Sequence, residues 1–207
     1  MSQYKDFNFN TSDSPQSHQY LGQGLLRLLD PQKNKCILDI GCGNGALTHF
    51  LIRQGLDCYG VDASVTGITY ASKDYPERFA IMDVSSQQLP DKLSHLAFDT
   101  IISTEVIEHL YDPRGFVKLC KSLLPQQGGQ LILSTPYHGY LKNLLVGVSG
   151  SWDRHMDPLF DGGHIKMWSR ATLSRLLEEQ GFKVTDFIGC GRLPYLWKSM
   201  LIRGVLS

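Results

Sequence analysis

Leu38-Asp39-Ile40-Gly41-Cys42-Gly43-Asn44-Gly45 decides the fold, because within one short stretch it passes from an apolar run to a glycine loop and into a helix. The apolar run suits a buried strand. Gly41 and Gly43 permit a tight turn and close backbone approach to a bound group. Leu47, Phe50 and Leu51 supply the helical periodicity that follows, and the first N–H groups of that helix lack intrahelical acceptors. Glycine before a helix is common, so the loop alone carries little weight. Asp39, two positions before Gly41, adds a carboxylate to it.

Outward from this loop, short β-branched runs alternate with longer amphipathic stretches, as in βαβ units around a parallel sheet. The runs are CILDIG (36–41), DCYGVD (57–62), FAIMDV (79–84), FDTIISTE (98–105) and GQLILSTP (129–136), with KVTDFIGC (183–190) and SMLIRGVLS (199–207) as later candidates. Phe116, Leu119, Leu123 and Leu124 mark one intervening helix, and Leu173, Leu176 and Leu177 mark another that Gly181 stops. Right-handed crossovers then predict a doubly wound, Rossmann-like, mainly parallel seven-stranded α/β sheet. The rhythm breaks over 137–168, after strand five. That segment reads as an insertion within one domain spanning 1–207.

Lys plus Arg equals Asp plus Glu at 20 each, so no global field draws the chain to nucleic acid or an acidic membrane. The polar opening MSQYKDFNFN lacks an apolar leader core, and no run is long enough to span a bilayer. The five cysteines (Cys36, Cys42, Cys58, Cys120, Cys190) are scattered without CxxC spacing. They read as reduced thiols of a cytoplasmic protein rather than a zinc site.

Two further carboxylates give the glycine loop its meaning. The loop is GxGxG, whereas the dinucleotide fingerprint is GxGxxG. Asp62 closes the second strand, where a carboxylate can accept both hydroxyls of a ribose, and Asp83 closes the third, where one can receive an adenine amino group. Any one of the three acids could be a cap or turn residue; three at successive strand ends are harder to dismiss. LDIGCGNG with Asp62 and Asp83 resembles the class I S-adenosylmethionine (SAM)-dependent methyltransferases, from about Tyr20 to the C-terminus. The resemblance implies SAM as cofactor. It assigns Asp39, Gly41 and Gly43 to the methionine part, Asp62 and Ala63 to the ribose, Asp83 and Val84 to the adenine, and Thr104 to the edge after strand four.

A second constellation is Glu105-Val106-Ile107-Glu108-His109. In a helical turn Glu105, Glu108 and His109 share a face. Acidic residues at a helix start also satisfy orphan N–H groups, so capping is one reading and a divalent metal site the other. With Gly163-His164-Ile165-Lys166-Met167-Trp168-Ser169 in the insertion, the arrangement looks like the ubiquinone-pathway O-methyltransferases. The His164-x-Lys166-x-Trp168-Ser169 run also resembles a segment of the Hen1-type small-RNA 2′-O-methyltransferases. These resemblances imply Glu105, Glu108, His109 and His164 as ligands of magnesium, manganese or zinc.

In the rest of the insertion, His138 and His155 could face a substrate or only solvent. Tyr137, Tyr140, Leu144, Leu145, Val146, Trp152 and Phe160 could line an apolar acceptor pocket or form a small core of their own. His18 and Tyr20 are expected to precede the first helix, where they could cover the cofactor or simply pack. The expected reaction is O-methylation of a small phenolic or quinol-like metabolite, with 137–168 as a lid. His109, His164 and Glu105 would carry the catalysis, either imidazole being suited to general-base work by a pKa of about 6.5. Alternatives are an RNA 2′-O-methyltransferase, disfavoured by the charge balance, and a non-catalytic SAM-binding subunit.

Overall fold

The computed structural model describes residues 9–11, 16–155, 159 and 162–207. Seven strands form one sheet: β1 (Ile37–Ile40), β2 (Cys58–Asp62), β3 (Phe79–Ile81), β4 (Thr100–Thr104), β5 (Gln130–Pro136), β6 (Phe182–Cys190) and β7 (Ser199–Leu206). Their order is β3-β2-β1-β4-β5-β7-β6. The pairs among β1 to β5 are parallel, while β7 runs antiparallel to both β5 and β6. The break from parallel has a local cause. The link between β6 and β7 is too short for a helical crossover, so the chain can only return as a hairpin.

Among the described residues there are six α-helices, α1 (Gln16–Leu28), α2 (Ala46–Arg53), α3 (Val65–Ala71), α4 (Pro113–Ser122), α5 (Tyr140–Val148) and α6 (Arg170–Glu179), of which all but α5 pack against the sheet. On one face Leu21, Leu25, Leu47 and Leu51 pack on Ile37, Ile102 and Leu201. On the other, Phe116, Leu119, Leu173 and Leu177 pack on Leu38, Ile101 and Leu131. Each such fully buried side chain contributes roughly 1.5–3 kcal/mol. The ends are set locally. Ser64 and Asp112 cap α3 and α4 by accepting from Gly67 N and Gly115 N, and Ser169 with Thr172 forms a reciprocal box at α6. Gly181, at φ +87°, stops α6 as its position predicted.

Strand order reverses between β1 and β4. A crevice therefore opens at their carboxyl ends, where open α/β sheets bind ligands. The insertion rises from the same edge, through α5 and a 3₁₀ turn at Trp152–Arg154. It forms no core of its own among the described residues. In α5 only Val146 is buried, while Tyr140, Leu141, Leu144, Leu145 and Val148 are exposed along one stripe. Tyr137 is buried against Phe187 and Trp197. Phe160 lies outside the described residues, as do the side chain of His18 and residues 156–158. His18 and Tyr20 do not precede the first helix but lie within α1, whose amphipathic run starts earlier than expected, at Gln16.

Candidate active site

The loop after β1 holds its glycines as the sequence requires. Gly41, Gly43 and Gly45 sit at φ +83°, +55° and +76°. Gly41 has a second reason to lack a side chain: a Cβ there would lie 2.3 Å from Val106 Cγ2, in the loop after β4. The two loops that flank the crevice thus touch backbone to side chain. The Phe9 ring lies on the opposite side, against Gly43 and Gly67, and Asn44 Nδ2 donates to Thr11 O (3.0 Å).

Asp39 is 1% exposed. Its Oδ2 accepts from Thr48 Oγ1 of α2 (2.7 Å), and its Oδ1 has no hydrogen-bond partner among the described residues. Burial, with a smaller push from Asp62, raises its pKa to about 7 against the pull of the Thr48 hydroxyl. A buried carboxylate with one oxygen unsatisfied suits a cationic ligand. Asp62, the last residue of β2, bridges two loops: its Oδ2 accepts from Gly43 N (2.8 Å) and its Oδ1 from Ser64 N (2.7 Å). Ala63 follows it, half-buried. β3 stops at Ile81, which pairs with Asp62, so Asp83 and half-buried Val84 stand just beyond the same edge. Asp83 accepts from Ser85 N (2.8 Å) and caps a 3₁₀ turn at Val84–Ser86. Thr104 ends β4 beside Ser134 of β5.

The helical turn after β4 is a 3₁₀ turn at Ile107–His109, and Glu105 stands before it at φ +56°. The three acid–imidazole side chains therefore do not share one helical face. Glu105 turns back to the sheet, where its Oε1 accepts from Ser134 Oγ (2.7 Å) and its Oε2 from Ser199 Oγ (3.2 Å). Burial raises its pKa against these two bonds. Glu108 is fully buried, and neither carboxylate oxygen has a hydrogen-bond partner among the described residues. Burial first, and then the Glu105 charge, push its pKa up to about 8.

Glu108, His109 and His164 converge, with donor atoms within 4.8 Å of one another. His164 Nε2 is 4.0 Å from Glu108 Oε1, and the two imidazole rings meet edge-on at 4.9 Å. The distant histidine is brought in by backbone, since Ile165 N and Lys166 N both donate to Glu108 O (3.0 Å each). His109 Nδ1 contacts Gly162 O at 2.7 Å, and a carbonyl can only accept, so Nδ1 carries the proton. Burial, with His109 and His138 nearby, lowers the pKa of His164. The remaining candidates fall outside this group. His155 Nδ1 contacts Ser151 O, and the Tyr20 hydroxyl accepts from Arg192 Nε in the β6–β7 loop. Thr48, Ser134 and Ser199, which hold the two buried acids, gave no motif by which sequence reading could find them.

Comparison with known proteins agrees with this architecture. Residues 15–186 match the model of the methyltransferase domain family. A ubiquinone biosynthesis O-methyltransferase of Psychrobacter arcticus is 30% identical over 179 residues, 83% of this chain and 68% of that protein. One of Acinetobacter baylyi is 25% identical over 161 residues, 75% of this chain and 66% of that protein. The chain spans about two thirds of the length of these curated relatives. Among solved structures, the magnesium protoporphyrin IX methyltransferase of Synechocystis with bound S-adenosylhomocysteine (SAH) superposes with a TM-score of 0.68 at 22% identity, covering 92% of this chain and 84% of that one. The methyltransferase domain of bacterial CtHen1 gives 0.65 at 21%, covering 92% and 100%. The switch-point crevice, the glycine loop and a family match over most of the chain lead to one conclusion: this chain belongs to the methyltransferase domain family and is a SAM-dependent methyltransferase.

Proposed function

We propose that the enzyme methylates an oxygen of a small hydroxylated acceptor of phenolic or quinol type. The observation that carries this reading is the meeting of Glu108, His109 and His164 beside the crevice, groups suited to ionising a hydroxyl. The names of the relatives from Psychrobacter and Acinetobacter support the same chemistry. Asp39 would take the ammonium of SAM and Asp62 the ribose hydroxyls. Asp83 and Val84 would border the adenine. Methyl transfer is an in-line displacement at a carbon already activated by the sulfonium, so the protein mainly aligns nucleophile, methyl and sulfur. His164, kept neutral by burial, is able to accept the acceptor's proton.

The residues also fit a divalent ion, the fit resting on the buried Glu108 carboxylate beside two imidazoles and on the fixed tautomer of His109. Glu108, His109 and His164 would hold it, and a bound ion would supply Lewis acidity that lowers the pKa of an acceptor hydroxyl. The five unpaired cysteines support a reducing compartment such as the cytoplasm. Among the described residues no helix is long and apolar enough to cross a membrane.

The test is turnover of labelled SAM with a catechol panel and, in parallel, a 3′-terminal small RNA. Methylated catechol supports the reading. Methylation of the RNA alone replaces it with ribose 2′-O-methylation.

A further inference from the structure

Glu105 has the residue type and spacing of a metal ligand, yet its surroundings give it another task. Both carboxylate oxygens are taken by serine hydroxyls from different strands, Ser134 of β5 and Ser199 of β7. Its amide is held as well, donating to Ser134 Oγ (3.0 Å). A side-chain-bearing residue rarely adopts φ +56°. Here that conformation goes with a carboxylate bonded back onto the sheet and outside the Glu108, His109 and His164 group. Glu108, by contrast, has no bond to either serine, and its Oε1 lies 4.0 Å from His164 Nε2 within the group formed with His109.

Ser199 starts β7 directly after the β6–β7 loop, and that loop carries the insertion. Lys142 Nζ of α5 donates to Trp197 O (3.1 Å) and Lys198 O (3.4 Å), and Tyr137 N donates to Lys198 O (3.1 Å). With little of α5 buried, these polar links decide where it sits. The Lys142 ammonium also lies close enough to feel the Glu105 charge.

We propose that Glu105 is a positioning residue rather than a ligand, a buried carboxylate that ties β4, β5 and β7 together and through Ser199 and Lys142 holds the β6–β7 loop and α5 in place. The proposal takes the Glu108, His109 and His164 ion site from the reading above. It divides the Glu-x-x-Glu-His motif into one anchoring acid and one ligating acid.

Two measurements on the full-length protein test it. In Mn²⁺ titration followed by electron paramagnetic resonance, Glu105→Gln should bind the ion within about twofold of wild type, while Glu108→Gln and His164→Ala should lose at least tenfold. In hydrogen exchange, amides of 140–148 and 191–198 should exchange at least tenfold faster in Glu105→Gln. Ser199→Ala, which leaves the glutamate intact, should act in the same direction, and Ser199→Thr should restore protection. A Glu105→Gln protein that loses Mn²⁺ as Glu108→Gln does would overturn the proposal, as would unchanged exchange in both Glu105→Gln and Ser199→Ala. If wild type binds no Mn²⁺, the ion-site reading falls. The exchange data then decide the anchor: faster exchange sustains it and unchanged exchange overturns it.

Discussion

The Glu108 carboxylate lies 4.0 Å from His164 Nε2, and the contact is built into the backbone because Ile165 and Lys166 both donate to the Glu108 carbonyl. Neither helix capping nor core packing requires that crossing. A buried carboxylate facing two imidazoles is unfavourable by itself, since burial strips its hydration and, among the described residues, no hydrogen bond of normal length replaces it.

A ligand that satisfies those oxygens should therefore matter. Adding a chelator is expected to abolish turnover while leaving SAH binding intact, with one divalent ion restoring activity. His109→Ala should lose at least tenfold in ion affinity, and its tautomer-fixing bond to Gly162 makes even His109→Gln a poor substitute. Full activity in chelator would leave His164 as a metal-free base.

Asp39 makes a pH prediction with a definite sign. Its folded pKa, near 7, lies well above the 3.8 of an ordinary aspartate, because the carboxyl is buried. The stability linked to its protonated form is complete below about pH 3.8 and is lost as pH rises through 7. The ligand-free Asp39→Asn protein should therefore gain stability over wild type at pH 8, by on the order of 4 kcal/mol, since roughly three pKa units are each worth about 1.4 kcal/mol. At pH 4 the gain should vanish. SAH binding should do the opposite: its ammonium favours the carboxylate, so wild-type affinity should rise between pH 5 and 7 while that of Asp39→Asn stays low and flat. Denaturation curves at the two pH values and calorimetry across the range check this. Equal stability shifts at both pH values would refute it.

The close approach between the loops gives a third prediction. Gly41→Ala places a Cβ against Val106 and also puts alanine at φ +83°. It should cost about 1–3 kcal/mol from the backbone alone, and more from the clash. Val106→Ala should recover the clash component but not the backbone component. A double-mutant cycle with no coupling would place the two loops further apart than the structure does.

The sheet was legible because each strand from β1 to β5 carries an apolar run with a polar or glycine stop, and because Asp62 and Asp83 mark where two of them end. β6 and β7 were legible as strands, but not their antiparallel pairing, which arises from the length of the loop between them. Glu108, His109 and His164 were legible as residue types. What decided their grouping was the 3₁₀ turn and the left-handed Glu105, and neither has a composition signature. Ser199 was beyond reach for a different reason: it meets Glu105 only because β7 pairs with β5 in a register that sets Pro136 opposite it.

We expect the insertion, 137–168, to act as a lid over the acceptor site. α5 starts just beyond the end of β5, yet Tyr140 is 84% exposed and Val148 79%, so most of its apolar stripe has no cover among the described residues. A helix this short and this thinly buried draws little stability from packing. Its amides should exchange early in the free enzyme, ahead of those of α4 or α6, whose apolar faces are buried. Adding SAH with a catechol acceptor should slow exchange across 140–148, because the acceptor's apolar part gives the stripe something to cover. SAH alone should protect the loop after β1 and leave α5 unchanged. Replacing Leu144 with Ser should weaken the acceptor-dependent protection without altering SAH affinity. Equal exchange of α5 with and without both ligands would mean that the insertion does not close.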